Sequence, residues 1–417
     1  MASTALVKKY IDTTWDFRSA NTKEYTHCYH NYPAMMIPQV ANRLINLYGK
    51  NAATLFDPYC GTGTSLVEAN LNGIDAYGTD INPMARLIAE AKTTIIELEI
   101  LDLYLKEFND FLFALNWGIN NTNVIFPNFK NIDFWFKEEV KLALASIKQF
   151  INNIKDPRVK KFFLVAFSET VRESSFTRNS EFKLYRMPEK QREDFNPDVF
   201  KIINSKLARN RMGLKFYMEK NKNDAKTKIY DFNSSEKIEK IEEESIDIVV
   251  TSPPYGDSRT TVAYGQFSRL SNQWLDVENA SQIDNQLMGG KAKNIKKIGI
   301  DIIDKTVERV ERKDEKRAKD IYSFYEDYAK SIANVSKVIK QGGYACYVVG
   351  NRRVKDIALP TDEITKCLFL ERGFKYLNTF IRNIPNKRMP SKNSPTNQIG
   401  KKITTMNNEY IVIMQKQ

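Results

Sequence analysis

Two short runs of residues carry groups able to do chemistry. The first, DPYCGTGTS at 57–65, sets a carboxylate (Asp57) beside two glycines (Gly61 and Gly63) and the expected start of a helix. Glycines let a backbone approach a ligand closely, and the free N–H groups of a helix start favour negative charge. The run lacks the lysine of a phosphate-cradling Walker loop, and its glycine spacing is not G-x-G-x-x-G. A second carboxylate, Asp80 in GTDINP, ends the next expected strand, where an acid can accept hydrogen bonds from both hydroxyls of a ribose. Together these residues suit a nucleoside ligand without a long phosphate track; alone, a Gly-rich turn is often only a tight turn. The second run is TSPPY at 251–255. Its prolines, Pro253 and Pro254, stop a strand ladder and stiffen the turn. The Ser252 side chain and the Pro253 carbonyl can accept the two N–H bonds of an amino group on a planar ring, and Tyr255 can stack on that ring. Without the first run upstream, TSPPY would read as strand-ending punctuation with a buried tyrosine.

These groups need a scaffold that brings two strand ends together. An apolar strand, Thr54 to Phe56, leads into Asp57. Ser65 and Glu68 have the spacing of a capping box, which predicts a helix from Ser65 to Asn72-Gly73, and a second strand follows at about Asp75 to Thr79. Asn82 and Pro83 then suit the cap and first position of another helix. Strand, Gly-rich turn, helix, strand and acid in that order predict an α/β fold with a doubly wound sheet. Helical spacing of apolar residues from 96 to 225 predicts a mostly helical insertion with a loop between Glu169 and Phe200. Strands return at KIYDFNSS and at Ile246 to Val250, separated by a charged helix expected at Glu236 to Glu244. Residues 256–319 read as an irregular, Lys-rich insertion. After it come a helix through Tyr325, Tyr328, Ile332, Val335 and Ile339 stopped by Gly342-Gly343, the strand YACYVVG, a helix near Glu363 to Glu371, and two closing strands expected as an antiparallel hairpin at the sheet edge. The expected organisation is thus a catalytic unit from 1–95 and 226–417, with 96–225 as candidate target-recognition region.

In combination, DPYCGTGTS, GTDINP, YDF and TSPPYG resemble the motifs of amino-group DNA methyltransferases that use S-adenosylmethionine. The serine of TSPPY is similar to the cytosine-N4 branch; adenine-N6 enzymes usually carry Asp or Asn there. The resemblance implies a Rossmann-like methyltransferase sheet and a cofactor pocket at Asp57, Tyr59, Gly61 and Gly63, with Thr62, Thr64 and Ile81 beside them. It also implies that Asp80 holds the ribose, that Asp231 and Phe232 line the adenine, and that HNYPAMMIP, with Tyr32 and Pro33, is the N-terminal cofactor segment. Ser252, Pro253, Pro254 and Tyr255 would then be catalytic, with direct attack by the amine of a flipped-out base of double-stranded DNA and no metal. A cognate restriction endonuclease is the implied partner. Arg178, Lys183, Arg259, Lys387 and Arg388 are the basic residues on irregular segments, and so the candidate DNA contacts. Adenine-N6 methylation of DNA, guanosine-N2 methylation of tRNA and a nucleic-acid-binding protein without catalysis are the alternative readings.

Composition supports a polyanionic partner. The 63 Lys and Arg against 51 Asp and Glu leave a net charge of +12, which favours nucleic acid or, more blandly, a solubilising surface. Four cysteines lie far apart with no CxxC pair, and His27 and His30 are the only histidines, so zinc sites and Ser-His-Asp triads are nearly excluded. No apolar run reaches membrane-span length and the first residues lack a secretory pattern, which predicts a cytoplasmic protein.

Overall fold

Successive side chains of a strand point to opposite faces, so a strand buried on both sides must be apolar throughout. The computed structural model, which describes residues 9–117, 124–179, 181–257, 261–384, 392–393, 403–404 and 406–417, shows this pattern in its central strands. The main sheet comprises β1 (Lys9–Ile11), β2 (Thr54–Asp57), β3 (Asp75–Thr79), β4 (Thr227–Tyr230), β5 (Ile246–Thr251), β6 (Ile339–Val349), β7 (Phe374–Asn383) and β8 (Asn408–Lys416). Its order is β1-β7-β8-β6-β5-β2-β3-β4, with β8 antiparallel to both neighbours and every other pairing parallel. This is the α/β, doubly wound, Rossmann-like methyltransferase arrangement, with an antiparallel pair near its end.

Leu55, Ile248, Val250, Cys346, Val348, Ile411 and Ile413 pack on one face against α1 (Pro38–Tyr48) and α2 (Thr64–Leu71). The residues between them, Phe56, Val249, Ala345, Tyr347, Val412 and Met414, turn to the opposite face. Helix α3 (Pro83–Thr93) belongs to a separate apolar cluster, which it shares with α4 (Leu98–Asn116), α5 (Glu138–Asn153), α6 (Pro157–Ser174), α7 (Val199–Lys220) and α8 (Tyr264–Trp274). The helices after β3 therefore grow from the same core as α3. The second face of the sheet is covered by α9 (Asp301–Glu311), α10 (Glu315–Val338) and α11 (Thr361–Leu370). No helix among the described residues is long and apolar enough to cross a membrane.

Several local expectations are corrected. The capping box does not form: α2 starts at Thr64 behind a left-handed Gly63, and Ser65 donates its hydroxyl to Asp57. Glu68 instead accepts from His27 Nε2 and from Asn42 Nδ2, each at 2.8 Å. Residues 236–244 run as irregular chain with bends and a turn at 243–244, because only Ile238 and Ile241 reach the core and no apolar face exists to hold a helix. The stretch 256–319 is not irregular throughout: it carries α8, α9 and the start of α10, with irregular chain at 287–300. Phe267, Leu270 and Trp274 make a buried face on α8, and Ile303, Val307 and Val310 make one on α9. Polar residues between these positions hide the helical spacing. Helix α10 ends at Val338, so Gly342-Gly343 lies inside β6; a Cβ on Gly343 would meet the Asp247 carbonyl oxygen at 2.9 Å. Finally, the closing pair is not the sheet edge, because β1 pairs parallel outside β7.

Candidate active site

The C-terminal ends of β2, β3 and β5 open on one cavity, the kind of place where an α/β sheet holds its ligands. Twelve predicted residues line it: Tyr32, Pro33, Asp57, Tyr59, Gly61, Thr62, Thr64, Asp80, Ile81, Phe232, Ser252 and Pro254. Asp57 lies at the end of β2, buried, and accepts from the Tyr59 backbone N–H at 3.0 Å and from the hydroxyls of Ser65 and Thr251. Burial pushes its carboxyl up to about 6, against the pull of those hydrogen bonds. Asp80 directly follows β3 and accepts from the Gly61 N–H at 3.1 Å and the Asn82 N–H at 2.8 Å. It too is pushed up to about 6 by burial. Each oxygen keeps a lone pair for a ligand hydroxyl.

Four predicted residues do not line the cavity. Gly63 has φ 75°, and a Cβ there would meet the Ala89 Cβ at 2.9 Å, so this glycine lets α3 pack against the turn. Asp231 is mostly exposed and pairs with Lys240 at 3.1 Å, which lowers its pKa; Phe232, the next residue, turns to the cavity and stacks on Tyr230 at 5.6 Å. Pro253 is buried beneath the turn. Tyr255 donates its hydroxyl to Glu409 Oε1 at 2.8 Å, while its ring packs over Gly350. Glu409 is held by Arg382, whose guanidinium also donates to the Trp15 carbonyl at 2.8 Å. Ser252 Oγ lies 3.1 Å from the Val348 carbonyl oxygen and 3.3 Å from the Tyr255 hydroxyl.

The sequence reading missed Tyr264, Leu287 and Met288 among the lining residues. Tyr264 stacks on Tyr32 with ring centres 6.0 Å apart, and Asn82 holds the Tyr32 hydroxyl at 2.8 Å. The only signal for Tyr264 was its place shortly after TSPPY; none marked Leu287 or Met288.

Of the candidate DNA contacts, Arg178 is exposed and Lys183 half-buried on one loop, closed by the Thr177–Arg186 bridge. That loop docks on α8: buried Arg172 donates to the Glu181 carbonyl at 2.8 Å and the Phe267 carbonyl at 2.9 Å. Arg259, Lys387 and Arg388 lie outside the described residues. Among the described residues no group of His, Cys, Asp and Glu is arranged to hold a metal ion.

Carboxylates at two neighbouring strand ends, an aromatic ring and a Gly-rich turn fit a nucleoside that carries an amino-acid tail. Comparison with known proteins gives the same direction. The profile of the DNA methylase family matches residues 4–91 and 246–417. The type II methyltransferase M.MvaI of Kocuria varians is 45% identical over 427 residues, spanning 96% of this chain and 93% of that protein. A tRNA (guanine(10)-N2)-dimethyltransferase of Methanothermobacter thermautotrophicus is 44% identical over 52 residues, 12% of this chain and 16% of that protein. Among solved structures, the rRNA methyltransferase aviRa of Streptomyces viridochromogenes aligns with TM-score 0.31 and 10% identity over 92% of this chain and 86% of that one. The profile match and the near full-length likeness to M.MvaI place this chain in the DNA methylase family of N6/N4 amino-group methyltransferases, with S-adenosylmethionine as its cofactor.

Proposed function

We propose that this chain methylates the exocyclic N4 amine of cytosine at a specific sequence in duplex DNA, as the modification half of a restriction–modification pair. One observation carries the reading: the Ser252 hydroxyl at the cavity wall has the Val348 carbonyl as acceptor for its proton. Its lone pairs are then left for an incoming N–H. The name of M.MvaI, a type II methyltransferase, agrees with the restriction–modification setting.

S-adenosylmethionine, when bound, supplies an electrophilic methyl on its sulfonium sulfur. In this reading Asp80 accepts the ribose hydroxyls, Phe232 lies against the adenine, and the Gly61–Thr64 turn with Tyr32 and Pro33 borders the methionine end. The target nitrogen is a poor nucleophile because its lone pair is delocalised into the ring. Accepting its N–H bonds at Ser252 and the Pro253 carbonyl moves electron density toward the methyl and holds the attacking geometry. No covalent intermediate with the protein is required. The base leaves the duplex to reach the site, and stacking by Tyr255 offsets part of the unpairing cost. Residues 1–95 and 226–417 form the catalytic unit, and 96–225, with Arg178 and Lys183, carries DNA-reading contacts.

The test is methyl transfer from labelled cofactor to duplex DNA, followed by digestion to nucleosides. N4-methylcytosine is the expected product. N6-methyladenine, or a methylated guanosine when tRNA is offered, would overturn the assignment.

A further inference from the structure

Lys92 sits in the last turn of α3 with no exposed surface. Its ammonium makes one hydrogen bond, to Thr62 Oγ1 at 3.3 Å, and no carboxylate among the described residues pairs with it. A cation buried without a counter-charge is costly, so an anion that reaches it stabilises its charged form. Burial pushes Lys92 down to about 7.

Thr62 connects this charge to the cavity. It lines the wall, and its own hydroxyl donates to the Met35 thioether sulfur at 3.0 Å, a weak acceptor easily exchanged for a better one. The connection is rigid. Ala89 packs against Gly63, and Lys92, three residues further along α3, falls on the same helix face. Beside Thr62, α2 begins at Thr64 with no side-chain cap. An anion at this point would meet a hydroxyl and an uncapped helix start, with the Lys92 amine behind them, whose protonation the anion would favour.

We propose that Lys92 is the buried counter-charge for the carboxylate on the methionine end of the cofactor, acting through Thr62. The inference rests on the reading that this cavity holds S-adenosylmethionine with its ribose at Asp80. On binding, the Thr62 hydroxyl turns from the Met35 sulfur to the carboxylate, while Lys92 continues to donate to Thr62 Oγ1. Lys92 is a positioning residue, one hydroxyl removed from the ligand.

The test is calorimetry with two ligands, S-adenosylmethionine and its decarboxylated form, which keeps the nucleoside, the sulfonium and the amine. Lys92→Met, which nearly conserves volume, should weaken binding of the first roughly 10- to 100-fold and leave the second within about twofold. Thr62→Val should give the same pattern, and the double variant should be no weaker than either single one. Unchanged affinity for S-adenosylmethionine, or an equal loss for both ligands, would overturn the inference. Asp80→Ala serves as control. If it weakens both ligands while Lys92→Met weakens neither, only the role of Lys92 falls; if Asp80→Ala is also silent, the cavity is not the cofactor site.

Discussion

The two turns that face the cavity are built in opposite ways. The Asp57–Asp80 side is held mostly from within the 57–82 segment: Asp57 by Tyr59 and Ser65, Asp80 by Asn82 and Gly61, with Thr251 the one distant donor, to Asp57. The Thr251–Asp257 turn is held by distant ones. Ser252 leans on Val348, Tyr255 on Glu409, and Asp257 on Arg352 at 3.2 Å. A locally braced site is preformed once its own strands pair, whereas a remotely braced one depends on the register of three further strands. Cofactor binding and methyl transfer should therefore fail independently when each brace is cut.

The largest expected effect is on the remote brace. Glu409 and Arg382 form a nearly buried ion pair, with side chains 16% and 5% exposed. Glu409→Ala should cost about 3–5 kcal/mol of stability in urea titration, because it leaves the Arg382 charge without its acid. A loss under about 1 kcal/mol, the range of surface pairs, would show that the pair braces nothing. Next comes Ser252→Ala, expected to slow single-turnover transfer by ~10²- to 10³-fold, about 2.7–4 kcal/mol, with cofactor affinity unchanged. Wild-type rate in that variant would remove Ser252 from the chemistry. On the local side, Asp80→Ala should weaken cofactor binding by about 1.5–3 kcal/mol while the fold survives. Calorimetry with an unaltered dissociation constant would break the comparison there.

The smallest effect is pH dependence, and its sign has two parts. Asp80 is held at about 6 by burial, and ribose hydroxyls favour its ionised form. Binding thus lowers its pKa, and cofactor affinity climbs as pH rises toward about 6. Lys92, at about 7, works the other way. A carboxylate raises its pKa, so affinity falls as pH rises above about 7. A bell with its top between these values is expected, and Lys92→Met should lose only the alkaline limb. A curve flat from about pH 5 to about pH 9 would detach both groups from the ligand.

What the sequence made legible follows the same division. Residues a few positions apart reveal their geometry through spacing alone: Asn82 does cap α3, accepting from the Met84 N–H, with Pro83 at its first position. Ser65 and Glu68 show the limit of this logic. Their spacing was right for a capping box, yet Asp57 and His27 reached them first through the fold. Glu409, Arg382 and Val348 carry no local signature at all; Val348 meets the TSPPY turn because β6 pairs with β5, and Glu409 and Arg382 because β8 enters between β7 and β6. Lys92 likewise reads in sequence as an ordinary basic residue at a helix end.

The position of β8 has a consequence for how the protein is made. Synthesis runs from N- to C-terminus, and β8, which emerges after the other seven strands of the main sheet, occupies an interior place in it. Until residues 408–416 arrive, the sheet exists as a five-stranded parallel block and a detached β1–β7 pair, so the final event is the closing of a gap. A nascent chain halted before residue 409 carries Asp57, Asp80 and Lys92 but leaves Tyr255 without its acceptor and Arg382 without its acid. Translation itself thus sets an order of assembly, with the Asp57–Asp80 side braced first and the Thr251–Asp257 turn last.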